Sequence, residues 1–251
     1  MTNEKATVII CPMLRGLFKG LRDIVYPPVC LSCRASLKNK GSVDEAVCAE
    51  CWGAIRMNAP PFCEGCGRHF PAGTGRCPAC SGRHFHYDRS FGACRYDDRI
   101  KELLHAFKYG GRDYLGRTLG RLLAAFYREY DFLFASAEIL IPVPLHPSRL
   151  REREFNQSAI FCECLASASG KTVADGMLLR RTRTRPQAGL EKEDRILNVR
   201  GCFLVENGAP LAGKHILLVD DVLTTGATLS EAAKALKDAG ASEVTALALA
   251  N

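Results

Sequence analysis

The chain has 251 residues, of which 47% are hydrophobic and 24% charged, with a formal net charge of +7. This size and composition suit a soluble protein with one α/β domain and a smaller module. The moderate positive charge is compatible with phosphate-rich partners, but it does not by itself indicate nucleic-acid binding. No apolar run approaches the length of a membrane span or a signal core, so we expect no membrane span and a cytoplasmic location.

Residues 1–28 form the first predicted segment, an amphipathic N-terminal helix. Apolar side chains between Leu14 and Val25 recur on one helical face, and Lys19 and Arg22 lie off that face. A basic amphipathic helix can bind a membrane surface, but packing against the protein itself is the favoured interpretation.

A cysteine-rich module is predicted over residues 29–86. Eight of the 13 cysteines fall into four C-x-x-C pairs, with 14 residues between the first two pairs and 10 between the last two. This spacing is typical of tetrahedral thiolate zinc sites, and four thiolates leave no open position for catalysis. We therefore predict two structural zinc sites. Their ligands are Cys30, Cys33, Cys48, Cys51, Cys63, Cys66, Cys77 and Cys80.

Other interpretations of these cysteines fit the sequence less well. Disulfides need an oxidising compartment, redox C-x-x-C motifs usually occur singly, and iron–sulfur clusters usually have other spacings. Two sequential four-cysteine ribbons are favoured over interleaved ligand pairs, and the sequence leaves both pairings open. Because the module has few apolar residues, we expect its folding to depend on metal.

Residues 87–251 form the predicted α/β domain, because strand and helix patterns alternate there. Strands are predicted at 89–96, 138–143, 201–205, 216–219 and 244–249, and helices at 98–109, 115–130, 158–167 and 229–236. The stretch 178–198 is polar and lacks a clear period. The alternation predicts a mostly parallel sheet flanked by helices.

The most informative motif is HILLVDDVLTTGATL, residues 215–229. A continuous apolar strand ends in Asp220 and Asp221, and small hydroxyl residues and glycine then lead into a helix. Ligands of open α/β sheets bind where strands end, and a helix N-terminus there favours phosphate. Two carboxylates beside a phosphate-binding loop indicate a ribose 5-phosphate. The simpler alternative is a strand–loop–helix with a capping Thr, but a cap requires only one hydroxyl and no acids.

Residues 219–228, VDDVLTTGAT, resemble the phosphoribosyl pyrophosphate (PRPP) motif of type I phosphoribosyltransferases. In that family the two acids hold the ribose 2- and 3-hydroxyls, and the loop wraps the 5-phosphate. The resemblance implies that PRPP is bound by Asp220, Asp221, Thr224, Thr225, Gly226, Ala227 and Thr228. It also implies magnesium, held mainly by ligand oxygens with Asp220 or Asp221 nearby.

Three further stretches widen the resemblance. FKYGGR (107–112), IPVPLHPSRLREREFNQ (141–157) and RTRTRPQAGLEKEDRILNV (181–199) occur in this order with the cysteine ribbons. Together they resemble the ComF/GntX group of phosphoribosyltransferase-like proteins, from about Leu17 onward. That group joins a double zinc ribbon to a type I phosphoribosyltransferase domain, and several members are linked to DNA uptake in competence. Glu154 departs from the group, which commonly has glycine there.

The resemblance also implies roles for residues outside the PRPP motif. Pro144, His146, Ser148 and Arg149 are the predicted pyrophosphate loop. Asp220, Asp221 and Arg183 are the predicted catalytic residues, and Arg181, Arg185 and Gln187 share with Arg183 a loop that closes over the reaction. The alternative for these arginines is a solvated basic loop. Lys108 is either a phosphate contact or a residue that caps its helix. His146 is either a general base or a hydrogen-bonding scaffold.

Two functions follow as hypotheses. The first is an enzyme that transfers phosphoribose from PRPP to an unidentified nitrogenous acceptor, with a possible role in DNA uptake. The second is a non-catalytic sensor of PRPP or phosphate that binds single-stranded DNA or a helicase-like competence protein. Its aromatic residues would either stack on bases or form the core of a small module. These residues are Trp52, Phe62, Phe85, Tyr87 and Phe91.

Overall fold

The computed structural model describes residues 28–38, 41–71, 75–184, 192–206 and 210–251. The predicted N-terminal helix, Arg185 and Gln187 lie outside the described residues. The chain forms two compact units, one ending at Ala54 and the other spanning Ile55–Asn251. The second unit therefore contains the cysteines from Cys63 onward together with the α/β domain, and the boundary predicted after residue 86 falls inside it.

The first unit contains a short antiparallel hairpin, β1 (Ser42–Val43) and β2 (Val47–Cys48), followed by helix α1 (Ala49–Gly53). The sulfur of Cys48 caps α1 by accepting a hydrogen bond from the Cys51 N–H at 3.4 Å. These contacts bring together the sulfurs of Cys30, Cys33, Cys48 and Cys51, all within 4.8 Å of one another.

A five-stranded sheet forms the centre of the second unit, and all its described strand pairs are parallel. In spatial order, with labels that follow the chain, its strands are β3 (Arg89–Cys94), β9 (Glu243–Ala250), β8 (His215–Val222), β4 (Ile139–Pro142) and β5 (Thr172–Val173). Residues 216–219 of the central strand are all buried. This agrees with their continuous apolar sequence, which is typical of a strand that is covered on both faces. The predicted mostly parallel sheet flanked by helices is confirmed.

Helices connect these strands. They are α2 (Asp98–Tyr109), α3 (Tyr114–Glu129), α4 (Pro147–Arg153), α5 (Gln157–Ser169), α6 (Lys192–Val199) and α7 (Ala227–Asp238), with a 3-10 turn at Asp131–Phe134. Helix α3 packs closely on α5 at Gly116 and Gly120, where there is no room for a side chain. A Cβ on Gly116 would lie 2.7 Å from Ile160, and one on Gly120 would lie 2.9 Å from the Cβ of Cys164. Among the described helices, none combines the length and the apolar character needed to cross a bilayer.

Residues 178–198, the polar stretch without clear hydrophobic periodicity, contain a short strand and most of a helix. Strand β6 (Leu178–Arg180) pairs antiparallel with β7 (Phe203–Val205), and α6 lies between them in the chain. The strand predicted at 201–205 is formed as β7, but it pairs with β6 and does not join the parallel sheet. Strand β6 has only three residues, too few to show a hydrophobic period, which is why the sequence did not indicate it.

The second cysteine cluster consists of Cys63, Cys66, Cys77 and Cys80, whose sulfurs also lie within 4.8 Å of one another. The Cys66–Cys77 sulfur distance is 3.8 Å, and in the first cluster the Cys33–Cys48 distance is 3.9 Å. Tetrahedral zinc with bonds of about 2.3 Å to sulfur separates its ligands by roughly 3.8 Å. Two sequential clusters that could hold zinc are thus formed, in agreement with the favoured pairing.

We expect the purified chain to contain two zinc ions, and Cys66→Ser to contain one and to unfold at a lower temperature. Loss of one thiolate opens the closed site and removes metal-binding free energy from folding. Metal analysis and thermal unfolding measure both effects. Cys164→Ser, at a half-buried cysteine outside both clusters, is the matched control and should keep two ions. Full retention of zinc by Cys66→Ser would contradict the assignment.

Candidate functional site

A cleft of about 400 Å³ opens at the carboxyl ends of β4 and β8. Its lining combines the two acids of the motif with four cations and two exposed tyrosines. The acids are Asp220 and Asp221, the cations Lys108, Arg149, Arg153 and Arg180, and the tyrosines Tyr96 and Tyr109. Because parallel strands end at one edge, the fold gathers these residues from segments that are distant in sequence.

Asp220 receives two hydrogen bonds on one carboxylate oxygen. Its Oδ1 accepts hydrogen bonds from the Ser158 hydroxyl at 3.2 Å and from the Asp221 N–H at 2.8 Å. Burial, with the adjacent Asp221 charge as the next cause, raises the pKa of Asp220 to about 7, although both hydrogen bonds and Lys108 act in the opposite direction. This carboxyl therefore exchanges its proton near neutral pH.

Asp221 is held by an ion pair with Lys108, whose Nζ lies 2.7 Å from its Oδ2. Lys108 projects from the last turn of α2 and its side chain is 20% exposed, against 15% for that of Asp221. The lysine predicted as a phosphate contact or a cap thus neutralises one of the two acids in this structure. A ligand that binds Asp221 has to compete with this lysine.

The stretch from Thr224 to Thr228, here called the phosphate loop, joins β8 to α7. Gly226 is the N-cap of α7 and has a φ of +76°, a left-handed conformation that glycine adopts without steric cost. Thr224 and Thr228 line the cleft, whereas Thr225 and Ala227 are buried. The N-terminus of α7 is therefore presented beside the two acids, where the helix dipole favours an anion.

The predicted pyrophosphate loop divides between two positions. Pro144 and Arg149 line the cleft, and the Arg149 Nη2 donates to the Thr184 carbonyl at 3.3 Å. His146 is the N-cap of α4, because its Nδ1 accepts from the Ser148 N–H at 3.2 Å and lies 2.9 Å from the Ser148 hydroxyl. Neither His146 nor Ser148 is among the residues that line the cleft.

Arg180 and Arg153 line the cleft, although sequence reasoning assigned them no role. Arg180 packs over the Phe203 ring, donates to the Thr184 hydroxyl at 2.6 Å, and has its pKa lowered by burial. Arg153 donates to the Tyr109 hydroxyl at 3.1 Å, and its guanidinium lies 5.0 Å from the centre of that ring. The sequence signal was the density of arginines near these positions, which did not distinguish the cleft from a solvated surface.

A second cavity, of about 330 Å³, shares Lys108, Arg149 and Arg153 with the cleft. Arg183 lines this second cavity and forms an exposed ion pair with Glu152 at 3.6 Å. Glu154 also lines it, at a φ of +68°, so a non-glycine residue occupies the left-handed conformation where the resemblance expects glycine. The predicted catalytic arginine therefore lies next to the two acids' cleft and not within its lining.

The aromatic residues considered for base stacking are mostly packed in the second unit. Phe85, Tyr87 and Phe91 are at most 9% exposed. Phe62 makes edge contacts with Phe91 at 5.5 Å and with Tyr130 at 5.4 Å. These four rings serve the core, and the exposed rings beside the cations are instead those of Tyr96 and Tyr109.

Comparison with known families matches both halves of the chain. Residues 21–81 match the family described as "Double zinc ribbon domain", and residues 177–251 match "Phosphoribosyl transferase domain". The α/β domain accordingly has the type I phosphoribosyltransferase fold, preceded by a cysteine-rich zinc-ribbon module.

Three relatives extend the match over most of the chain. The chain is 28% identical to "Competence protein F" of Haemophilus influenzae and 30% identical to "DNA utilization protein YhgH" of Salmonella typhi; each alignment covers 88% of this chain and 96% of the relative. It is 31% identical to "Competence protein ComFC" of Bacillus subtilis over 58% of this chain and 56% of that relative. The chain belongs to the competence protein F and DNA utilization protein family, whose double zinc ribbon and phosphoribosyltransferase domain it carries.

Proposed function

We propose that the chain binds PRPP in the cleft and transfers its phosphoribosyl group to a nitrogenous acceptor, with release of pyrophosphate. One observation carries this proposal: two carboxylates at the end of a buried strand share a 400 Å³ cleft with the N-terminal loop of α7. Acids that accept hydrogen bonds from vicinal hydroxyls and N–H groups that bind phosphate are together complementary to a ribose 5-phosphate.

In this arrangement Asp220 and Asp221 accept hydrogen bonds from the ribose 2- and 3-hydroxyls. The N–H groups and hydroxyls of the phosphate loop bind the 5-phosphate. The carboxylates are the type of ligand that magnesium prefers, so the cleft fits magnesium bound together with PRPP, where it would neutralise phosphate charge. The protein's own cations then need to offset only the remaining charge.

We assign the pyrophosphate to the side of the cleft that continues into the second cavity. Lys108, Arg149 and Arg153 line both spaces, and Arg183 lines the second. Arginine binds phosphate oxygens through paired hydrogen bonds, so this group can hold the departing charge. Lys108 has a further role in the proposal. When its ammonium group moves from Asp221 to a pyrophosphate oxygen, the Asp221 carboxylate becomes available to accept a hydrogen bond from the ribose.

The proposed reaction is a displacement at the anomeric carbon. The nitrogen lone pair forms the new C–N bond, the C–O bond breaks, and pyrophosphate leaves with the bonding electrons while the nitrogen loses a proton to solvent. Positive charge develops on the ribose during this step, and the fixed negative charge of Asp220 and Asp221 stabilises it. Arg183 contributes by closing the pyrophosphate side and excluding water.

A second candidate is a non-catalytic PRPP or phosphate sensor that binds single-stranded DNA or a helicase-like partner. The names of the relatives refer to competence and DNA utilization. Exposed Tyr96 and Tyr109 beside arginines at the cleft also suit stacked bases and phosphates. In either case we propose that the protein acts in the cytoplasm and takes part in DNA uptake.

We expect Asp221→Asn to weaken PRPP binding by roughly tenfold or more, because a hydrogen bond to a charged group contributes about 1.5–3 kcal/mol. Calorimetric titration with magnesium and PRPP measures this effect. Asp175→Asn, which removes the same charge at an exposed turn, is the control and should bind as the wild type does. Equal affinity in all three proteins would contradict the site.

The two candidate functions differ in turnover. Pyrophosphate release from PRPP across a panel of bases, abolished in Asp221→Asn, supports the enzyme. PRPP binding without release for any base, together with single-stranded DNA binding that weakens with salt, supports the sensor.

A second prediction concerns Asp220 in the ligand-free protein. The pKa of this carboxyl is raised from 3.8 to about 7 in the folded state, so the unfolded chain holds fewer protons between these values. The free energy of unfolding therefore falls as the pH rises from about 4 to about 7. Asp220→Asn removes this titration while keeping an oxygen that accepts the same hydrogen bonds.

At about pH 8 we expect Asp220→Asn to be more stable than the wild type by roughly 2–4 kcal/mol, since one pKa unit corresponds to about 1.4 kcal/mol. The difference should vanish near pH 4. Denaturant unfolding at both pH values, without magnesium or PRPP, provides the measurement. A variant that is no more stable than the wild type at the higher pH would show that burial does not penalise this carboxylate.

A further inference from the structure

The second cysteine cluster contacts the phosphate loop from within the same compact unit. Its four cysteines belong to one buried cluster of side chains with Leu223 and Leu229, which flank the loop. Phe85 and Tyr87 belong to the same cluster and stack on each other, with ring centres 4.9 Å apart. The metal-binding residues and the loop are thus parts of one core.

A first connection runs from the Cys63–Cys66 turn to Gly226. The carbonyl of Gly65, between these cysteines, accepts a hydrogen bond from the Tyr87 hydroxyl at 2.8 Å. A Cβ on Gly226 would lie 2.7 Å from the Tyr87 hydroxyl oxygen and 2.9 Å from the Phe85 ring. The loop backbone therefore rests directly on the two stacked rings, and a side chain there would displace it.

A second connection runs from the Cys77–Cys80 turn to Thr225. The Arg83 N–H donates to the Cys80 carbonyl at 3.2 Å, so this residue is tied to the cysteine turn. Its Nη2 donates to the Thr225 carbonyl at 2.5 Å, and its guanidinium lies 4.9 Å from the centre of the Phe85 ring. One arginine thus holds a loop carbonyl and one of the stacked rings.

We propose that Arg83, Phe85 and Tyr87 are positioning residues through which metal in the second cysteine cluster fixes the phosphate loop in its binding conformation. The four thiolates of that cluster form a donor set that suits zinc. Metal fixes the two cysteine turns, and the turns hold the rings and the arginine against Thr225 and Gly226. The consequence for ligand affinity rests on the proposed function, whereas the consequence for loop rigidity does not.

The test compares two arginine substitutions. Arg83→Gln removes the contact with the Thr225 carbonyl and leaves all eight predicted zinc ligands in place. Arg89→Gln is the matched control, because it removes the same charge at the exposed first residue of β3. Zinc content is measured in both variants, so that an effect on metal binding is separated from an effect on the loop.

In Arg83→Gln we expect amide hydrogen exchange over residues 223–229 to accelerate and ribose 5-phosphate affinity to fall roughly fivefold or more, a usual size for coupling between sites. Arg89→Gln should match the wild type in both measurements. Metal-depleted full-length protein should show the same acceleration in the loop; if it unfolds entirely, Arg83→Gln remains the deciding comparison.

Wild-type exchange and affinity in Arg83→Gln would overturn the proposal, as would equal losses in both variants, which would indicate that loss of any nearby positive charge has the same effect. The outcomes also separate this inference from the proposed function. If the wild type binds neither ribose 5-phosphate nor PRPP while Arg83→Gln still loosens the loop, the positioning role stands and the proposed function fails.

Discussion

Two adjacent carboxylates at the end of a buried strand impose the constraint on which this structure depends. Asp220 and Asp221 repel each other, and the fold reduces the repulsion with Lys108, the Ser158 hydroxyl and a backbone N–H. The pKa of Asp220 nonetheless stays at about 7, because burial and, after it, the adjacent Asp221 charge outweigh these contacts. A pair of acids that only supported the fold would be replaced by less costly residues, whereas a binding site retains such groups at the expense of stability.

The surrounding architecture serves this pair. The parallel sheet brings the ends of β4 and β8 to one edge, and α7 begins there with a left-handed glycine. Basic side chains from α2, α4 and β6 line the same cleft, so positive charge lies beside the two acids. A ligand that carries hydroxyls at one end and several phosphates elsewhere can bind the acids and the cations at the same time. A simple phosphate ion would leave the acids without a role.

The second cysteine cluster extends this account to the zinc-ribbon part of the chain. Phe85 and Tyr87 pack between its turns and Gly226, and Arg83 reaches the Thr225 carbonyl. The first cluster belongs to the other compact unit. The second cysteine cluster lies in the same core as the residues that flank the phosphate loop.

Much of this could be predicted from the sequence, because the relevant signals are local. The apolar run before Asp220 predicts a buried strand, and the apolar spacing predicts helix 98–109, which the structure shows capped by Asp97. The pairing of β6 with β7 could not be predicted, since β6 is short and 22 residues separate Arg180 from Phe203. The Lys108–Asp221 pair likewise depends on tertiary packing, which residue spacing does not encode. The capping role of His146 is instead a local contact with Ser148, two residues along the chain.

A crystal structure of the protein with magnesium and PRPP tests the central claim most directly. The account predicts ribose hydroxyls within hydrogen-bonding distance of Asp220 and Asp221, the 5-phosphate on the N–H groups of Thr224–Thr228, and Lys108 moved from Asp221 toward the pyrophosphate. A ligand bound elsewhere, or a 5-phosphate held by the arginines with the phosphate loop empty, would contradict it.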